Sequence, residues 1–265
     1  MPCEKTEIPW ERSKTHLLEP PVASMFRLVS DTLHSAADLL WPRRCLHCDE
    51  PTSRTLCLCE SCVANFDKDT SPTCPRCTST VGPHTDVSQG CPRCRSAHYR
   101  YASAQRWGVY DGELRNAILR MKYRGGESLA EAMGVAWAAS RRDALMASSP
   151  HVVAAVPLHW RKRWARGFDQ AELLARGVAE GLGLPFAAGT IRRVKATPQQ
   201  SGVSPTERRE NLKNAFRPSR TGVWKAVRVL LVDDVLTTGA TADAASAAIL
   251  AGGAAQVDVA VLAHR

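Results

Sequence analysis

Four Cys-x-x-Cys units follow one another in close succession: Cys45/Cys48, Cys59/Cys62, Cys74/Cys77 and Cys91/Cys94. Two thiolates two residues apart curl around one metal ion, and a tetrahedral zinc takes two such pairs. Four pairs therefore match two structural zinc ions. Sequential pairing into two ribbons is the default expectation, and a cross-braced arrangement is its rival. Pro75 and Pro92 each follow the first cysteine of a pair, which suits a tight knuckle turn. The segment holds too few large apolar side chains to build a core alone, so metal binding has to supply its folding free energy. A redox Cys-x-x-Cys normally occurs once, at a strand-to-helix junction, and the repetition here argues against it. Cys3 and Cys57 are left over, with Cys57 close enough to Cys59 to substitute for it; His47 and His84 are surplus to complete four-cysteine sets.

Compartment and charge set the frame around this module. No run of about twenty apolar residues is present to span a membrane, and Met1–Glu19 lacks the apolar stretch of a secretory signal. A cytoplasmic location is expected, where thiols stay reduced and ten cysteines turn from disulfides toward metal. The net charge of +9 favours anionic partners without choosing among them. Residues 1–24 read as disordered, polar and without periodicity. Residues 25–42 read as a helix, with Phe26, Leu28, Val29, Leu33, Ala36, Ala37 and Leu40 at helical spacing, and Met25 rivals Met1 as a start. The cysteine module then occupies 43–99, and a second domain 100–265.

That second domain alternates strands and helices. Ala104–Tyr110 reads as a short strand, Asp111–Arg124 and Leu129–Arg142 as helices, and Val152–Val156 as a buried strand. Asp169–Gly181 follows as a helix, Thr190–Val194 as a strand, Val227–Val232 as an all-apolar strand, Ala240–Leu250 as a helix and Val257–Leu262 as a last strand. Continuous apolar strands separated by helices imply an α/β fold: a parallel sheet flanked by helices, here with an N-terminal zinc-ribbon module. Ligands of such sheets bind at the carboxyl ends of strands.

The most loaded segment falls there. Val229–Val232 runs into Asp233-Asp234, Val235-Leu236 and Thr237-Thr238-Gly239-Ala240-Thr241. Adjacent carboxylates at a strand end accept hydrogen bonds from vicinal sugar hydroxyls or hold a Mg²⁺ complex. The turn offers threonine hydroxyls and backbone N–H groups at a helix start, a ready phosphate site. Gly239 lets the backbone approach an anion without a Cβ in the way. Acids for ribose beside a cradle for phosphate describe a ribose 5-phosphate pocket. No Gly-x₄-Gly-Lys-Ser/Thr loop is present, and no strand leads into Gly-x-Gly-x-x-Gly.

Val229–Thr241 resembles the signature of type I phosphoribosyltransferases, and with the cysteine pairs the chain resembles the ComF/GntX family. Also similar to the family are Tyr110-Asp111-Gly112 through Lys122-Tyr123-Arg124-Gly125, and Val156-Pro157-Leu158-His159 followed by Arg166-Gly167-Phe168-Asp169-Gln170. Thr197, Gln200, Arg208, Asn211 and Phe216 match a further pattern. The resemblance implies a double zinc ribbon joined to a domain that binds 5-phosphoribosyl-1-pyrophosphate (PRPP) with Mg²⁺. Asp233 and Asp234 then hold ribose hydroxyls, and Val235, Leu236, Thr237, Thr238, Gly239, Ala240 and Thr241 the 5-phosphate. The segment after Pro157 becomes the pyrophosphate loop, with Leu158, His159, Arg161, Lys162, Arg163, Arg166 and Gly167, because guanidinium groups suit a leaving pyrophosphate. Lys195–Asn214 reads as a mobile flap bringing Gln200, Arg208 and Asn211 to the site.

The implied reaction displaces pyrophosphate from ribose C1, with Asp234 giving electrostatic support to the developing cation. The family commonly has Asn where this chain has Asp169, and a carboxylate facing that pocket would repel pyrophosphate. The acceptor is not legible; Trp107, Tyr110 and Trp137 are aromatic candidates to stack on one, although each also suits a core. An alternative of another class is a PRPP-responsive adaptor that grips single-stranded DNA and meets proteins of the DNA-uptake machinery, since family members are linked with natural transformation. Arg43, Arg44, Arg76, Arg93, Arg95 and Arg100 fit a backbone grip, with Tyr99 and Tyr101 as the stacking pair.

Overall fold

Val229, Leu230, Leu231 and Val232 are apolar without interruption, and in the computed structural model all four are buried. Leu230 and Val232 face one layer of side chains, and Val229 and Leu231 the other. A strand covered on both faces needs such a run, because no side of it meets water. The structure describes residues 43–52, 57–195, 212, 214–219 and 224–265. The expected disordered segment 1–24, the helix 25–42 and the flap residues Gln200, Arg208 and Asn211 lie outside them.

The main sheet is parallel. Its strands are β1 (Ala104–Val109), β2 (Val152–Ala155), β5 (Arg228–Leu236) and β6 (Gln256–His264), in the order β1-β6-β5-β2. Beyond β2, Pro185 accepts from and Ala187 donates to Val153, which extends the sheet by a short parallel stretch. Two further strands, β3 (Ile191–Arg193) and β4 (Phe216–Pro218), form a separate antiparallel pair. The strand expected at Thr190–Val194 therefore exists in shorter form but does not join the parallel sheet. Its alternation of buried Ile191 with exposed Arg192 is that of a half-covered ribbon.

Eight helices lie among the described residues: α1 (Glu60–Phe66), α2 (Pro92–Ser96), α3 (Gly112–Arg120), α4 (Glu127–Ser140), α5 (Arg142–Met146), α6 (Trp160–Arg166), α7 (Gln170–Leu182) and α8 (Ala240–Ala251). On one face of the sheet, α3, α4 and α7 pack with Trp107 and with Leu58, Cys62 and Phe66 of the first cysteine module. On the other face, α8 packs with β3, β4 and the second cysteine module. The two modules thus straddle edge strand β1. Arg106 on β1 donates to Thr78 O at 2.8 Å and pairs with Asp69 at 2.7 Å, while Trp107 Nε1 donates to Asp67 at 3.0 Å.

Trp107 and Trp137 are fully buried and stacked at 6.4 Å, so they serve the core and are not open to an acceptor.

Helices α4 and α7 approach through glycine. A Cβ on Gly177 would lie 2.1 Å from Glu131 O, and one on Gly134 2.3 Å from Leu174 O. Both obstacles are backbone, which cannot swing aside as a side chain can. Gly177→Ala is expected to cost about 3 kcal/mol through overpacking and to lower Tm by roughly 6–10 °C. Thermal unfolding followed by circular dichroism reads this directly.

Candidate functional site

The sulfur atoms of Cys45, Cys48, Cys59 and Cys62 lie within 4.8 Å of one another, as do those of Cys74, Cys77, Cys91 and Cys94. Pairing is therefore sequential, as in two ribbons. Sulfur–sulfur separations of 3.5 Å (Cys48–Cys59), 3.6 Å (Cys77–Cys91) and 3.8 Å (Cys74–Cys94) match the edges of a zinc tetrahedron with bonds of about 2.3 Å. Backbone N–H groups aim at the sulfurs: His47 and Cys59 at Cys45, and Cys91 at Cys74. Burial works to raise the Cys45 and Cys74 thiols, but backbone amides, those of Cys48, Cys59 and His47 at Cys45 and of Cys91, Arg76 and Cys77 at Cys74, bring both down to about 7. Both clusters fit structural zinc. His47 is no ligand; its Nε2 pairs with Glu113 at 2.8 Å. Cys57 stands outside the two sets.

Strand β5 does not stop at Val232. It continues through Asp233 and Asp234 to Leu236, paired with Val261, Ala263 and His264 of β6. The carboxylates thus project from within a strand longer than the expected Val227–Val232, because neighbouring β6 runs on equally far. Asp234 meets Lys122 Nζ at 2.8 Å and accepts from Gln170 Nε2 at 3.3 Å. Burial alone would lower the Lys122 ammonium, but Asp234 in contact and Asp233 behind it hold it above its ordinary value. Asp233 is pushed well above the usual carboxylate range by burial and by the charge of Asp234. Lys122 and Gln170 are the site residues that the sequence reading passed over. Both lay inside recognised stretches, yet their contact with Asp234 joins segments far apart in the chain.

After Leu236 the chain turns through Thr237, Thr238 and Gly239 into α8, so Ala240 and Thr241 begin the helix. Gly239 has φ +75°. The space a Cβ would fill there belongs to Tyr101 Oη at 2.7 Å and Tyr99 Cε1 at 2.8 Å. The glycine accommodates these rings, a reason beyond the expected approach of an anion. Val235 lies half-buried on β5, packed with the face that carries α3, α4 and α7.

The expected pyrophosphate loop is irregular only over Pro157–His159 and again at Gly167–Asp169. His159 caps α6 by accepting from Arg161 N–H at 3.3 Å, and Gly167 at φ +90° ends it. Arg161, Lys162, Arg163 and Arg166 therefore stand on a helix. Arg163 pairs with Glu172 at 3.4 Å and Arg166 donates to Gln170 Oε1, while Arg161 lies over the Trp160 ring. Asp169 accepts from Leu158 N–H at 2.8 Å and from the amides of Ala171 and Glu172. Its carboxylate caps α7 and holds the loop, so its charge is engaged by backbone. A cavity of about 350 Å³ opens alongside, lined among others by Leu158, Trp160, Arg163, Asp169, Phe186 and Arg193.

The proposed stacking pair is corrected as well. Tyr99 and Tyr101 stack on each other at 4.8 Å and are buried. Several arginines of the cysteine module donate to main chain or to an acid: Arg76 to Tyr99 O, Arg93 to Thr237 O, Arg95 to Gly90 O and Arg100 to Asp243.

Comparison with known proteins agrees with this division. The profile described as a double zinc ribbon domain matches residues 36–97, and that described as a phosphoribosyl transferase domain matches residues 166–265. The chain thus joins a double zinc ribbon to a phosphoribosyl transferase domain. DNA utilization protein YhgH of Salmonella typhi is 41% identical over 110 residues, 42% of this chain and 48% of that protein. Competence protein F of Haemophilus influenzae is 42% identical over 93 residues, 35% of this chain and 41% of that one. These matches span about half the length of the relatives or less. Competence protein ComFC of Bacillus subtilis is 28% identical over 225 residues, covering 80% of this chain and 90% of that one. Among solved structures, the glutamine PRPP amidotransferase of B. subtilis aligns with TM-score 0.34 and 20% identity over 54% of this chain and 30% of its own. No helix among the described residues is long and apolar enough to cross a membrane.

A carboxyl whose pKa is raised by folding binds its proton more tightly in the folded state than in the unfolded chain. Stability therefore declines as pH rises from about 4, the ordinary value, through the raised one. Asp233→Asn is expected to flatten that decline, with Tm a few degrees above that of the unsubstituted protein at neutral pH. Tm measured against pH without ligand checks it.

Proposed function

We propose that the chain binds PRPP with Mg²⁺ and transfers its phosphoribosyl group to an acceptor still to be identified. The observation that carries this reading is the Asp233–Asp234 pair at the end of a buried parallel strand, followed by a threonine turn into a twelve-residue helix. On this reading Asp233 and Asp234 take the ribose hydroxyls, and the amides and hydroxyls of Thr237–Thr241 take the 5-phosphate at the positive end of α8. Basic residues of α6 face the pyrophosphate, and Mg²⁺ adds positive charge that stabilises it as a leaving group. As the C1–oxygen bond breaks, positive charge develops on the ribose, and Asp234 is the carboxylate assigned to offset it. Lys122 sets a positive charge against Asp234, and Gln170 fixes its orientation.

Calorimetric titration of PRPP with Mg²⁺ into zinc-loaded protein tests the reading. Binding is expected, weakened at least about 100-fold in Asp233→Asn/Asp234→Asn through loss of charge-assisted hydrogen bonds. No heat with the folded, zinc-loaded protein would overturn it.

A second reading rests on another observation. Trp160 and Trp164, one helical turn apart on α6, are 62% and 86% exposed, among Arg161, Lys162, Arg163 and Arg166. Exposed aromatics interleaved with cations are a stacking platform for single-stranded nucleic acid. Relatives named for competence and DNA utilization support handling of DNA. Trp160→Ala/Trp164→Ala is expected to weaken binding of an oligothymidine about tenfold or more at fixed salt, measured by fluorescence anisotropy. Unchanged affinity in that variant removes this reading.

A further inference from the structure

We infer that the second zinc ribbon is the positioning element of the Thr237–Gly239 turn: Arg93 and Tyr99 hold its carbonyls so that its amides face away from the ribbon, toward an anion. The inference rests on the turn being the 5-phosphate site. Its starting point is a pair of hydrogen bonds that cross between the modules. Arg93 Nη2 donates to Thr237 O at 3.0 Å, and Tyr99 Oη donates to Thr238 O at 3.0 Å.

Peptide planarity turns these two contacts into control over two other groups. In a trans peptide the C=O of one residue and the N–H of the next point in opposite directions. Fixing Thr237 C=O on the ribbon therefore directs Thr238 N–H away from it, and fixing Thr238 C=O does the same for Gly239 N–H. Among the described residues neither amide has a protein acceptor. Two successive amides aimed the same way form a concavity that binds anions.

The rest of the contact makes this turn stiff. Tyr99 and Tyr101 stack beneath Gly239, with no room for a Cβ between them and the backbone. Arg100 donates to Asp243 through its backbone N–H at 2.7 Å and its guanidinium at 3.3 Å. That contact pins the first turn of α8 and draws a carboxylate near the helix N-terminus onto a cation. Arg93 lies on α2 between Cys91 and Cys94, and Tyr99, Arg100 and Tyr101 follow shortly after Cys94. Zinc bound at Cys74, Cys77, Cys91 and Cys94 thus fixes the backbone from which the turn is held, and its role reaches beyond the ribbon's own folding.

The test uses the full zinc-loaded chain and two variants, Tyr99→Phe and Arg93→Ala/Tyr99→Phe, each checked for two zinc equivalents by elemental analysis. Hydrogen exchange of residues 240–244 is read without ligand, because Asp243 N–H bonds Gly239 O at 2.8 Å across the turn. Exchange is expected to quicken several-fold in the double variant. Affinity for PRPP with Mg²⁺ is expected to fall about fivefold in Tyr99→Phe and further in the double variant. Unchanged exchange with full zinc content would overturn the inference, whatever the ligand does. Quickened exchange in a protein that binds no PRPP would uphold the ribbon's hold on the turn and sink the phosphate reading alone.

Discussion

Two adjacent carboxylates at the end of a strand buried on both faces repel each other and lose hydration. The structure around Asp233 and Asp234 can be understood as the compensation for that burden. Lys122, just past the end of α3, brings the opposite charge. Gln170, at the start of α7, brings a neutral donor and is itself held by Arg166 at the end of α6. The acids also accept from nearby backbone, Asp233 from Asp234 N–H and Asp234 from Val235 N–H. Asp169 extends the arrangement outward by fixing Leu158 and capping α7. One electrostatic problem thereby ties three helices and the Pro157 loop to the end of a single strand.

The ribbons solve a different problem, that of an edge. Among the described residues strand β1 pairs only with β6, and its other side is closed by the cysteine modules, one contributing to each hydrophobic layer. Neither module has a core of its own size. Cys45, Cys62 and Phe66 pack into the layer of α3 and α4, while Cys74, Cys77, Cys91 and Cys94 pack against the layer of α8. Metal binding and domain packing are thus parts of one folding event, because the same buried cysteines serve both.

Charge is divided by location. The ribbon arginines donate largely to carbonyls, those of the ribbons themselves for Arg44, Arg76 and Arg95 and that of Thr237 for Arg93, where they organise backbone. The bases of α6 lie on an exposed helix with two open tryptophans. A net positive balance does not distinguish these uses, since a guanidinium satisfied by a carbonyl and one facing solvent count alike in composition.

Much was legible in the sequence. Thiol spacing determined four knuckles and hence two metal clusters, since two residues between cysteines is the span a knuckle needs, while the sequential pairing was decided by the fold. Apolar run lengths determined the parallel sheet, since only strands hidden on both sides omit polar alternation. The acidic pair and the threonine turn marked the strand end on which the proposed site is built. Tertiary structure decided what each polar group faces. It buried Tyr99 and Tyr101 under Gly239, turned Asp169 to backbone amides, carried β5 past Val232 and made a helix of Trp160–Arg166. It alone brought Lys122 and Gln170 to Asp234. Spacing along the chain encodes local geometry, whereas the partner of a buried charge is chosen by packing between segments distant in sequence.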